Sequence, residues 1–125
     1  MAELLETDDL KLLTDIGFIA VSRGLKDHAA AIFNAVQAIR PEGEAGYLGL
    51  GMIDILGGDP MAAVKTLRSA PESDAVRTFL GIALVQSSDI GQGETMLRSV
   101  IEHAGDTPFA RIAADTLASI STHAR

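Results

Sequence analysis

The 125-residue chain has no cysteine. That excludes a disulfide framework, a thiolate metal site and a thiol nucleophile. Basic residues are also scarce, ten Lys and Arg against 17 Asp and Glu, and they are scattered rather than blocked. The formal charge of -7 argues against nucleic acid or anionic lipid as the main partner, because phosphate binding is driven by Lys and Arg. Long apolar runs are missing too. The uncharged stretches, residues 45–53 near the middle among them, fall far short of the about 20 apolar residues that a spanning helix takes, so no membrane insertion is expected. The opening MAELLETDD is acidic where a signal or transit peptide would be basic, and a cytoplasmic protein is expected. Aromatic residues contribute only 4%.

Hydrophobic residues make up 47% of the chain and charged residues 22%, a balance that fits a compact fold rather than disorder. At this length folding buries roughly 65% of the unfolded surface, so a core is within reach without staples. The dominant pattern is a recurrence. Gly17 is answered 34 positions later by Gly51, Gly24 by Gly58, Ala29 by Ala63 and Phe33 by Leu67. A repeat of that length is a pair of helices that cannot bury its apolar face alone and must stack on its neighbours.

Punctuation divides the chain into helix-length pieces. Asp8 or Asp9 is expected to cap a first helix carrying Leu12, Leu13, Ile16, Ala20 and Val21, which Gly24 stops. A second helix, with Asp27 in its first turn, presents Ala30, Ile32, Phe33, Val36 and Ile39 and ends before Pro41. Glu42 and Glu44 open a third that runs to Gly57 and Gly58. Asp59 followed by Pro60 is the clearest start signal in the chain and launches a fourth that ends before Pro71. Ser73 caps a fifth, the SSD stretch 87–89 separates it from a sixth marked by Met96, Leu97, Val100 and Ile101, and Thr107 with Pro108 begins a seventh through Phe109, Ile112, Ala113, Leu117 and Ile120. Gly91 and Gly93 weaken the start of the sixth. The register drifts once, Gly81 following Gly51 by 30 rather than 34 around Pro71. Apolar spacing of three and four throughout leaves no strand candidate.

These residues resemble the tetratricopeptide repeat. The first unit matches at Leu13, Ile16, Gly17, Gly24, Ala29, Phe33 and Pro41, with Ala20 and Val36 as replacements. The second matches at Tyr47, Leu50, Gly51, Gly58, Ala63, Leu67 and Ala70, with Asp54 in an aromatic's place, and the third keeps Leu80, Gly81, Leu84, Gly93 and Leu97. The resemblance covers about residues 10–105. It implies an all-α fold, a right-handed superhelix of about three helical hairpins plus a C-terminal capping helix. The organisation expected is a lead-in over 1–8, with a Leu4, Leu5 pair, and one domain over 9–125, with repeats at 10–41, 44–71 and 74–105 and a terminal helix at 108–122. Gly17, Ala29, Phe33, Gly51, Ala63, Leu67 and Gly81 are its packing positions.

In such repeats the first helix of each pair lines a concave groove. Carried over, its positions fall on Lys11, Thr14, Phe18, Val21 and Ser22, on Ala45, Leu48, Met52, Ile55 and Leu56, and on Ala75, Thr78, Ile82, Val85 and Gln86. The partner-binding candidates among them are Phe18, Val21, Leu48, Met52, Ile55, Leu56, Ile82 and Val85. The Lys and Asn of the family's peptide-carboxylate clamp are replaced by Thr14, Phe18, Leu48 and Met52, which argues against that ligand. So apolar a groove suits the apolar face of an amphipathic helix, and Met52 adapts to irregular shapes. By size, layout and groove chemistry the chain is similar to small chaperones and accessory proteins of bacterial type III secretion, virulence-associated adaptors that hold a secretion substrate or co-chaperone in the cytoplasm. The alternative is a self-associating structural scaffold whose groove is filled by its own terminal segment or by another copy, since so apolar a surface must be covered.

No catalytic residue, metal ligand or cofactor is expected. His28, His103 and His123 lack the spacing of a helical zinc site. Asp54, an acid on an apolar helix, calls for a raised pKa or a basic partner, and a salt bridge to a nearby Arg or simple exposure at a groove edge is the favoured expectation over general-acid chemistry. Gly49, Gly51 and Asp54 imitate part of a dinucleotide fingerprint, which chance explains among 12 glycines.

Overall fold

A computed structural model describes residues 7–123. The Leu4, Leu5 pair of the expected lead-in lies outside the described residues. Among these residues there are seven helices and no strand: α1 (Thr7–Ser22), α2 (Lys26–Ile39), α3 (Ala45–Leu56), α4 (Pro60–Arg68), α5 (Asp74–Gln86), α6 (Ile90–Ala104) and α7 (Pro108–His123). The fold is all-α, as the spacing requires. It divides into two compact units, Met1–Pro71 and Glu72–Arg125. The division falls at Pro71, where the 34-residue period shortens.

Helix starts follow side-chain chemistry. Asp59 accepts the Ala62 N–H at 3.2 Å, Ser73 the Val76 N–H at 3.1 Å, Asp89 the Gln92 N–H at 3.4 Å and Thr107 the Ala110 N–H at 3.3 Å. Each satisfies a donor that the helix itself leaves orphaned, worth about 1 kcal/mol. Two expected starts shift. α1 has already begun at Thr7, so Asp8 and Asp9 occupy its first turn, where their charge favours the positive helix end. Glu42 lies in the turn before α3, and Glu44 precedes its first residue without a side-chain cap.

The stops are more regular than the sequence suggests. Gly24 (φ 74°) donates to the Val21 carbonyl while Leu25 donates to that of Ala20, the paired bonds of a Schellman stop. Gly58 (φ 82°) and Asp59 repeat this on Ile55 and Asp54, and Ser88 (φ 78°) and Asp89 repeat it on Val85 and Leu84. Ser88 thus holds, without glycine's freedom, a backbone conformation that side chains resist.

In the first unit α2 packs against α1 and α3, and α3 in turn packs against α4 and touches α1. Close approach is set by glycines. A Cβ on Gly17 would lie 2.7 Å from the Phe33 ring, one on Gly51 would lie 2.8 Å from Leu67, and in the second unit one on Gly81 would lie 2.8 Å from Leu97. The small residue at the facing helix is Ala29, Ala63 and Gly93 in turn. Within each hairpin the offsets from the first glycine to stop, small residue and large residue are the same, so the 30-residue interval changes only the connection. Phe33, with no exposed surface, is also pressed by Gly49, where any Cβ would overlap its ring. In the second unit α7 packs on α6 and more lightly on α5, the relation α3 bears to α2 and α1.

The packing face of α1 differs from the one expected. Leu10, Gly17, Ala20 and Val21 are buried, whereas Leu12 and Ile16 are exposed. Helix α1 carries apolar residues on two faces, and spacing alone does not say which one meets α2. Ile101 and Ile112 likewise sit at the surface, while Leu97, Val100, Ala110 and Ala113 form the core of the second unit.

Candidate partner-binding site

In the first unit the groove positions from α1 and α3 separate by depth. Val21 and Leu48 are 7% and 8% exposed and belong to the core. Phe18 is half-buried, its ring centroid 4.8 Å from that of Phe33 at a tilt of 59°. Met52 packs on the cluster formed by Ala20, Val21, Ala29 and Phe33. Ile55 is half-buried and Leu56 is exposed at the mouth of a cavity of about 430 Å3 shared with Val21, Ser22, Gly24, Lys26 and Ile53. Lys11, Thr14 and Ala45 line a second cavity of about 390 Å3 over Leu10 and Val36, with Arg40 and Glu44 also on its wall.

The second unit brings its candidates together more cleanly. Ile82 and Val85 of α5, both half-buried, form one wall of a groove of about 360 Å3. Ile90 at the start of α6 and Ile120 of α7 supply further apolar lining, and Gln86, Thr116 and Ser119 are its polar groups. No charged side chain lines it. Helix α7 is the far wall of this groove and does not fill it. Ala75 and Thr78, also carried over as groove positions, are buried, with the Thr78 hydroxyl donating to the Asp74 carbonyl at 2.7 Å.

Thr116, Ser119 and Ile120 escape a reading of the sequence because α7 looks like a cap, and Ile90 because it stands on the second helix of its hairpin. The signal was present: α7 opens on Thr107–Pro108 and packs as the first helix of a further hairpin would, so its residues face α5.

Asp54 is half-buried on α3, and its carboxyl is held above its ordinary value of 3.8, first by burial and then by repulsion from Asp59. It makes no ion pair among the described residues, so of the two expectations for it the salt bridge is not met, while the raised pKa is. The nearest arginines in sequence are Arg40, which follows the end of α2, and Arg68 on α4. Gly49 has a packing role, not a share in a nucleotide motif.

His28 and His103 are exposed, and His103 Nδ1 donates to the Ser99 carbonyl 2.7 Å away within its own helix. The side chain of His123 lies outside the described residues. Among the described residues there is no cluster of three or more His, Asp or Glu that could hold a metal ion, and no helix long and apolar enough to cross a membrane. A scan against protein-family models finds no match to this chain, and a search of curated proteins finds none either.

Proposed function

We propose that the protein is a protein-protein interaction module that takes the apolar face of a partner's amphipathic helix. One observation carries this reading: the groove between α5 and α7 is lined by Ile82, Val85, Ile90 and Ile120 with neutral polar groups and no charge. A polar or ionic ligand entering it would lose hydration without a charged partner to replace it. The apolar face of a helix, presenting side chains at i, i+3, i+4 and i+7, loses nothing of the kind. Helical-repeat proteins are scaffolds whose function lies in the surface residues between the packing positions.

The narrower reading, a chaperone or accessory protein of bacterial type III secretion acting in the cytoplasm, rests on the resemblance of the repeat positions and on size and groove chemistry. Its partner would be a secretion substrate or co-chaperone.

The test uses Ile90→Glu combined with Ile120→Lys. Ile90 is 45% exposed and sits at the first turn of α6, where an acidic side chain favours the helix. The variant should keep its far-UV circular dichroism and melting temperature. In affinity capture from the native cell with mass-spectrometric identification, it should lose a protein that the unaltered chain retains. Identical captured sets for both proteins would refute the groove as the binding site.

A further inference from the structure

The buried side of α1 leaves its opposite side bare. At about 100° per residue, Asp8, Leu12, Ile16 and Ile19, with Arg23 just past the end of α1 and its backbone N–H still donating to the Ile19 carbonyl, fall within a stripe roughly 80° wide. Leu12, Ile16 and Ile19 are 60%, 44% and 53% exposed, one per turn and contiguous. Scattered apolar residues at a surface need no explanation, but a continuous stripe on one helix does. Asp8 and Arg23 close its two ends with opposite charge, both are exposed, and neither makes an ion pair among the described residues.

The order of these residues reads the same from either end once the signs of charge are exchanged. Placed antiparallel on a copy of itself about an axis between residues 15 and 16, the helix sets Leu12 opposite Ile19, Ile16 beside its own mate, and Asp8 opposite Arg23. A parallel arrangement would instead set Asp8 against Asp8 and Arg23 against Arg23. We infer that the outer face of α1 is a two-fold interface, on which a second copy of this chain docks antiparallel through Leu12, Ile16 and Ile19 and is held in register by two Asp8–Arg23 ion pairs.

A closed two-fold contact of this kind is isologous, each side using the same patch. One 16-residue helix per protomer places it at the lower end of specific interfaces, near roughly 1,200 Å2 in total, so association in the micromolar range is expected. One acid, Asp15, lies at the edge of the stripe beside its own mate. Asp15→Asn should therefore tighten the pair. The surface shares no residue with the groove between α5 and α7, so the Ile90→Glu, Ile120→Lys variant should associate like the unaltered chain.

Sedimentation velocity on the full chain, from low to high micromolar concentration, tests the interface. The unaltered protein should pass reversibly from monomer to dimer. Ile16→Glu should remain monomeric with unchanged melting, because its side chain is already exposed. Asp8→Arg and Arg23→Asp should each weaken association by roughly tenfold, since each breaks two exposed ion pairs and creates two repulsions. The double variant should recover most of the loss. Within one helix these residues are about 22 Å apart, and both reversals oppose the helix dipole. Intramolecular effects would therefore add, and only pairing between copies restores association. A monomer at all concentrations, a dimer indifferent to Ile16→Glu, or charge reversals that add without recovery would each overturn the inference.

Discussion

Replacing Gly49 by alanine should destabilise the first unit although alanine is the better helix former. The helical preference favours the change by about 1 kcal/mol. Against it, the new Cβ falls on the ring of Phe33, and that ring has nowhere to retreat. It has no exposed surface, and at its tip the position of a Gly17 Cβ is already only 2.7 Å from Cζ, while the Gly49 Cβ falls at its base. Overpacking of a rigid core costs typically 1–3 kcal/mol, and a fully buried ring approached at both base and tip belongs at the upper end, about 3 kcal/mol. The net loss is about 2 kcal/mol. At roughly 4 °C per kcal/mol for a chain of this size, melting should fall by about 8 °C. Gly91 provides the control, because a Cβ there meets nothing within 4 Å, so Gly91→Ala should stabilise by about 0.5 kcal/mol. Thermal and urea unfolding followed by circular dichroism measures both. Adding Phe33→Leu should make Gly49→Ala less costly, since it removes the ring that the Cβ strikes. Melting of Gly49→Ala at or above that of the unaltered protein would refute the clamp.

Two further outcomes follow from single residues. Ser88→Gly should stabilise the second unit by about 0.5–1 kcal/mol, the left-handed penalty of about 1–2 kcal/mol being partly offset by glycine's greater freedom when unfolded; urea unfolding reads it, and a loss of stability would mean that the serine side chain contributes something its backbone strain conceals. Asp54 binds its proton more tightly folded than unfolded, so its ionisation opposes folding, and the penalty is absent below 3.8 and grows as pH rises through the folded value. Asp54→Asn should therefore raise the melting temperature at neutral pH and lose that gain in acid, and an equal gain at both would rule out ionisation as the cause.

Much of the fold was legible because helix punctuation is local chemistry. Asp59–Pro60, Ser73 and Thr107–Pro108 start helices wherever they occur, and Gly24 and Gly58 end them. The site was less so. Val21 and Leu48 carry the same apolar signal as Ile82 and Val85, but the first two are buried and the second two line a groove, and a one-dimensional pattern holds no record of depth.

The sequence by itself determined the number of helices among the described residues, most of their limits, and the glycine, small-residue and large-residue positions at which paired helices meet. These depend on capping, left-handed stops and the space a missing Cβ leaves, each of which is set by residues close in the chain. Only the tertiary structure decided which of the two apolar faces of α1 meets α2, that Gly49 exists to admit Phe33, and that α7 serves as a wall for α5. Those are outcomes of packing between segments distant in sequence, where the choice is made by shape and volume rather than by spacing.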